Sequence, residues 1–262
     1  MTQYRYANET LILIVTLLLI VVALLLTSVP TLCLSPLLVL VLVFFAGQAN
    51  RAHHQQLMQA AQSVTPQALP GLAALVEECR ARLRVGPVQT FVIRRRELNA
   101  YTFGLADPNV VVLHSSLFDV MDADEMRFIV GHELGHVALG HTWLNTLVGG
   151  MAGVPMPLGA AFLLVFVFRW WNRACEYSAD RAGLIACGNL NKSISALVQL
   201  VVGDINTQAE LKHALAMIEQ QDDSLSNLLS ETLATHPMIV RRIQKLRQYA
   251  ASPEYRRLVQ SA

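Results

Sequence analysis

The chain has 262 residues, room for a membrane anchor and one domain of ordinary size. Hydrophobic residues make up 53% and charged residues 15%, and the formal net charge of +1 lacks the basic field that a nucleic-acid binder needs. Four widely spaced cysteines, Cys33, Cys79, Cys175 and Cys187, form no CxxC pair, so they make neither a disulfide framework nor a cysteine zinc site and are compatible with a reducing compartment.

No side chain from Leu11 to Asn50 is charged. Within that run LILIVTLLLIVVALLL (11–26) and LLVLVLVFFAG (37–47) are separated by TSVPTLCLSP, with Pro30 and Pro36 as breakers. At a rise of about 1.5 Å per residue the first half spans a hydrocarbon core and the second just reaches across. The pattern predicts a transmembrane helical hairpin over residues 1–50, with the lipid bilayer as a partner. A secretory signal would have a shorter apolar region, a more basic start and a small-residue cleavage site. Arg5 precedes the hairpin, Arg51 and Arg94 to Arg96 follow it, and its turn carries no charge. Both flanks are therefore expected in the cytoplasm, giving an integral membrane protein with a cytoplasmic catalytic domain.

Residues 51–71, ending in SVTPQALPG, read as a linker, and 72–262 as the domain proper. LAALVEECRARL has helical spacing and ends before Gly86 and Pro87. VQTFVI (88–93) and VVVLH (110–114) read as strands, and LNAYTFG between them as another possible one. Asp122 or Asp124 can cap a helix starting near Glu125. An apolar region follows at 147–171, then a helical pattern in NRACEYSADRAGLIA. The last third is mostly helical, and THP (235–237) is expected to start the helix MIVRRIQKLRQYA.

The chemistry lies in IVGHELGHVALGH (129–141). Positions four apart on a helix nearly eclipse, so His132 and His136 can aim both imidazoles at one ion. Glu133, one step around, can reach a water on that ion without being a ligand. Neutral imidazole suits zinc, and a catalytic zinc takes three protein ligands and keeps one open position. Glu176 is the candidate third ligand. Asp180, four residues later on the same face, can accept the outward N–H of a ligating histidine and fix its tautomer. His53, His54, His114 and His213 have no partner at metal spacing and read as structural, and Arg94 to Arg96 as a solvated or lipid-headgroup face.

HELGH followed by EYSAD resembles the membrane-bound zinc metallopeptidase family that includes the HtpX heat-shock protease and the CAAX prenyl endopeptidases. NAY (Asn99, Ala100, Tyr101) resembles that family's edge strand. DADEMRFIVGHELGHVALGH resembles its active-site helix, His141 included, and THPMIVRRIQKL its His-Pro segment. The resemblance covers residues 75–250 and the hairpin, in the family's order. Two departures stand out. One apolar region occupies the place of the two hydrophobic segments that HtpX proteins carry between the histidine and glutamate helices, and Met238 replaces a common second proline.

The resemblance implies one Zn2+ per chain, held by His132, His136 and Glu176, and peptide-bond hydrolysis by a zinc-activated water with Glu133 as general base. It also implies His236 as donor to the oxyanion, Arg242 as a bond to the ligand-bearing helix, and Asn99 to Tyr101 as a strand edge for an extended substrate backbone. The fold expected is α+β: a predominantly helical, zincin-like metallopeptidase domain with a small sheet, preceded by the N-terminal transmembrane hairpin. The substrates expected are proteins or peptides, misfolded or membrane proteins among them. A zinc-bound chaperone or adaptor with little turnover is a second reading, against which the intact Glu133 speaks. A structural membrane protein with accidental motifs is a third, opposed by the ordered matches.

The two ligand-bearing helices must lie on one side of the membrane, so the chain between them crosses an even number of times. Two crossings need about forty residues, more than the apolar stretch offers. A membrane-associated helical hairpin at about 144–172 is therefore expected, turning near Gly150 to Pro157. Its Phe162 to Phe168 would meet lipid or anchor helices, with Trp170 and Trp171 at the interface.

Overall fold

The computed structural model describes residues 4–28, 34–104, 109–144, 160–202 and 239–260. The described chain is mostly helical around one small mixed sheet. Helix α1 (Glu9–Ser28) is, among the described residues, the one helix long and apolar enough to cross a membrane. Its Leu11, Ile14, Leu18, Leu25 and Leu26 are exposed, an arrangement suited to lipid and costly in water.

Helix α2 (Leu34–Ala60) corrects the expected boundaries. Pro36 falls in its first turn, where a missing N–H breaks no helical bond. The helix then runs unbroken through Arg51, His53 and His54, although residues 51–71 were read as a linker. NRAHHQQLMQA contains neither glycine nor proline, and Leu57 gains a buried place on the sheet. Only residues 61–69 connect, and even there Gln62–Ser63 forms the short strand β1. Pro70 then opens α3 (Pro70–Leu83) at a position where its lost N–H is harmless.

Strands β2 (Val88–Ile93), β3 (Ala100–Phe103) and β4 (Asn109–His114) complete a sheet of order β1-β2-β4-β3. β4 pairs parallel with β2 and antiparallel with β3. Its side chains alternate between two cores, as a strand buried on both faces requires. Val110 and Val112 meet Leu57, Phe91 and Phe103, while Val111 and Leu113 join the main core with Phe128, Ile129 and Leu134. β3 ends the sheet and pairs with β4 alone among the described residues.

The short α4 (Leu117–Val120) leads into α5 (Ala123–Ala138), which carries the HExxH motif. Of the two candidate caps the fold uses Asp122. Its carboxylate accepts the Asp124 and Glu125 N–H groups while the Glu125 side chain accepts the Asp122 N–H, a reciprocal capping box. Helix α6 (Ala160–Cys187) packs along α5 at very short range. A Cβ on Gly131 would lie 2.4 Å from the Ala186 Cβ, and one on Gly135 2.7 Å from the Ala182 Cβ. The motif's two glycines are what let the backbones approach. Helices α7 (Leu190–Val202), α8 (Ile239–Ala250) and α9 (Pro253–Gln260) close the domain.

The expected turn at 150–157 lies outside the described residues, as do His213, His236 and the side chains of Phe162 to Phe166. Helix α6 is continuous over 28 residues, so the apolar stretch after Ala160 and the segment bearing Glu176 form a single rod. Trp171 departs from the interfacial position expected of it. It is 2% exposed, packed with Ile12, Leu144, Ala174 and Cys175 where α1 crosses α6, while Trp170 is 42% exposed. Successive residues on a helix point about 100° apart, so neighbouring tryptophans cannot share one environment.

Candidate active site

His132 and His136 project from successive turns of α5 toward Glu176 on α6. The His132 and His136 Nε2 atoms are 3.2 Å apart, and the Glu176 carboxylate oxygens lie 3.5 Å from each. A tetrahedron with arms of about 2.0–2.1 Å has edges of about 3.3–3.4 Å, near the 3.2 Å between the two imidazole nitrogens, and one donor atom from each of the three residues lies within 4.8 Å of the others. Two imidazoles and a carboxylate, all nearly buried, are also the donor set of a catalytic metal with one open position.

Each imidazole ring is held from behind. A histidine that offers Nε2 to a metal carries its proton on Nδ1 and needs an acceptor there. For His132 the acceptor is Asp180, whose Oδ1 lies 3.0 Å from Nδ1. Asp180 is in turn gripped by Arg242 of α8, with Nε donating to Oδ2 at 2.8 Å and Nη2 to Oδ1 at 2.5 Å. The third guanidinium nitrogen lies 3.1 Å from Glu176 Oε2, so one arginine serves both acids of the ExxxD pair. For His136 the neighbour is His141, Nδ1 to Nδ1 at 3.0 Å, and His141 Nε2 then meets Glu9 Oε1 at 3.0 Å.

The electrostatics follow from that packing. Burial alone would raise both acids, but the Arg242 charge and the histidine contacts prevail, holding Glu176 well below the usual carboxylate range and lowering Asp180. Glu133 goes the other way. Burial pushes its carboxyl up, helped by the Glu176 charge and opposed by His132, His136 and a Thr102 hydrogen bond. Burial also pushes His141 down to about 4, against its bond to Glu9.

Strand β3 packs against α5 beside this site. Ala100 and Tyr101 pair with Leu113 and Val112 of β4. Asn99 precedes the strand, and its carbonyl accepts the His114 N–H at 3.1 Å. The histidines read as structural have ordinary partners: His53 meets the Tyr101 hydroxyl at 3.1 Å and His114 the Glu97 carbonyl at 2.9 Å. His236 lies outside the described residues.

Reasoning from motifs missed three contributors: Thr102, the Gly131–Gly135 pair and Glu9. Glu9 had a signal, since a single acid heading a long apolar helix is costly near a bilayer unless it is paired or used.

Two histidines and a glutamate brought together from two packed helices, with a buried acid beside them, match the donor set of a metallopeptidase centre. Comparison with known proteins gives the same class and narrows it. The model for peptidase family M48 matches residues 66–165 and 151–250, and the chain belongs to that family. It is 26% identical to a protease HtpX homolog of Desulforapulum autotrophicum, over 80% of each chain. With a protease HtpX homolog of Moorella thermoacetica the identity is 28%, over 75% of this chain and 78% of the other. It is 27% identical to the plastoglobule-localized metallopeptidase 48 of Arabidopsis thaliana chloroplasts, over 76% of this chain and 62% of that protein's length.

Proposed function

We propose that this metalloprotease is a zinc endopeptidase anchored in a membrane by a helical hairpin formed from α1 and the apolar half of α2, with its catalytic domain on the cytoplasmic side. The observation that carries the proposal is the convergence of His132, His136 and Glu176 donor atoms within 4.8 Å of one another, next to the buried Glu133. Bound zinc would lower the pKa of a water toward about 7 and polarise the scissile carbonyl.

The remaining work falls to the chain's own groups. Glu133, buried beside the two histidines, takes a proton from the attacking water and delivers it to the departing amine. Thr102 orients that carboxylate from β3. The outer side of β3, at Ala100 and Tyr101, offers main-chain groups to an extended peptide, which gives affinity with little sequence preference. That suits misfolded or membrane proteins as substrates. Asp180 keeps His132 in its metal-binding tautomer, and Arg242 keeps both acids ionised. His236 is the proposed donor to the oxyanion. The apolar part of α6 is proposed to dip into the near leaflet as one arm of a shallow hairpin.

The test is casein degradation by the purified full-length protein, with metal analysis. One zinc per chain, loss of cleavage with chelator and its return with zinc are expected. A metal-replete protein that cleaves no internal peptide bond would refute the endopeptidase reading.

A further inference from the structure

The two ligating histidines are supported unequally. His132 is held by an acid of the domain itself, whereas support for His136 passes through His141 to the first residue of the anchor helix. The direction of each hydrogen bond in that relay is fixed once His136 offers Nε2 to a metal. Its Nδ1–H must donate to His141 Nδ1 across 3.0 Å, which leaves the His141 proton on Nε2, donating to Glu9 Oε1 across 3.0 Å. His141 is 1% exposed and Glu9 fully buried, so no solvent competes for either bond.

Glu9 is itself set in place by the domain. The Ser178 hydroxyl of α6 and the Arg5 guanidinium both donate to its carboxylate. Arg5 also donates to the Leu139 carbonyl, at 2.8 Å, just past the end of α5. The Tyr6 N–H donates to Ser178 Oγ at 2.8 Å, and Arg181 donates to the Arg5 carbonyl at 3.2 Å. The turn before α1 is thus stitched to both helices that carry metal ligands.

We propose that Glu9 is a positioning residue of the metal centre: acting through His141, it fixes the tautomer and ring orientation of His136, so that the anchor helix supplies part of the active site. The proposal rests on the metal reading of His132, His136 and Glu176. Docking of the first turn and metal loading are then coupled, because a domain whose first turn has not docked lacks the acceptor at the end of the relay. Cys175 completes a second group of three possible donors with Glu9 and His141. The relay is the better account of that group, since both His141 nitrogens are engaged and Arg5 already balances the Glu9 charge.

The full-length protein in detergent supplies the test. Chelator competition should show zinc held about 10- to 100-fold more weakly by Glu9→Gln and by His141→Phe. The double variant should be no weaker than His141→Phe alone, because Glu9 acts through that ring. The cobalt-substituted protein should show an altered visible spectrum in Glu9→Gln. Wild-type affinity and spectrum in a folded Glu9→Gln, or additive losses in the double variant, overturn the relay. Should the variants not fold, 15N-histidine spectra of the zinc-loaded wild type decide alone: a proton on His141 Nε2 supports the relay, and one on Nδ1 sinks it. A second zinc per chain that disappears in Cys175→Ala would overturn it in favour of a metal at Glu9, His141 and Cys175. A wild-type protein that binds no zinc rejects the metal reading itself, a result distinct from all of these.

Discussion

Arg242 holds Asp180 through two nitrogens and Glu176 through a third, so a single side chain of α8 joins the candidate metal ligand Glu176 to the acid bonded to His132. The planar guanidinium suits this three-point task, and lysine, a point charge on a flexible stem, does not. Removing it leaves two buried carboxylates facing each other. Arg242→Met is therefore expected to cost the metal-free protein about 3–5 kcal/mol, the usual penalty for orphaning a buried charge. The sign of the pH dependence follows from the lowered pKa values of Glu176 and Asp180. Stability from a depressed carboxyl is present above the unfolded pKa of about 4 and is lost as pH falls through the folded value. Denaturant unfolding should show the wild-type advantage intact at pH 7 and shrinking below about pH 4. An Arg242→Met protein as stable as wild type at pH 7 counts against the grip.

Glu133→Gln keeps the shape of the side chain and removes the base. Zinc content should stay at the wild-type level while the rate falls by about 100- to 10,000-fold. Single-turnover rates of the two zinc-loaded proteins, with metal analysis, check this. Full activity in the Gln variant would rule out the general-base role.

Strand positions and the capped α5 were legible in the sequence because they depend on local patterns: short β-branched runs at 88–93 and 110–114, and an acid before a helix. That His132 shares a helix face with His136, and Glu176 with Asp180, was legible because helical spacing fixes which side chains share a face. Residues 51–60 depart from the linker expected over 51–71, because the turn-rich character of 63–71 does not extend to them and Leu57 is buried against the sheet. The Glu9 relay was not legible, since residues 132 positions apart meet only after α1 has packed against α6.

Asp122 links the start of the active-site helix to α7, because it caps α5 and also accepts from Lys192. Asp122→Ala should cost about 1 kcal/mol, mostly through the lost cap. Asp122→Asn keeps the cap oxygen and should recover most of it. Thermal unfolding of the three proteins decides, and equal losses in both variants would point to the Lys192 contact instead.

The close approach of α5 and α6 makes the last prediction. A methyl on Gly135 would sit 2.7 Å from the Ala182 Cβ and 3.2 Å from the Ala179 Cα, and neither neighbour has a flexible end that could yield. Gly135→Ala must therefore push the helices apart or shift one along the other. Overpacking of this kind costs about 1–3 kcal/mol. The separation would also move His132 and His136 relative to Glu176, whose oxygens lie 3.5 Å from both rings. Zinc affinity should drop along with stability. Gly71→Ala in α3 is the control, because nothing lies within 4 Å of its Cβ position. There the better helix former should be neutral or stabilising by up to about 1 kcal/mol. Chelator competition and thermal unfolding on both variants provide the check. A Gly135→Ala protein that binds zinc as tightly as Gly71→Ala would mean that the helix spacing does not set the metal geometry.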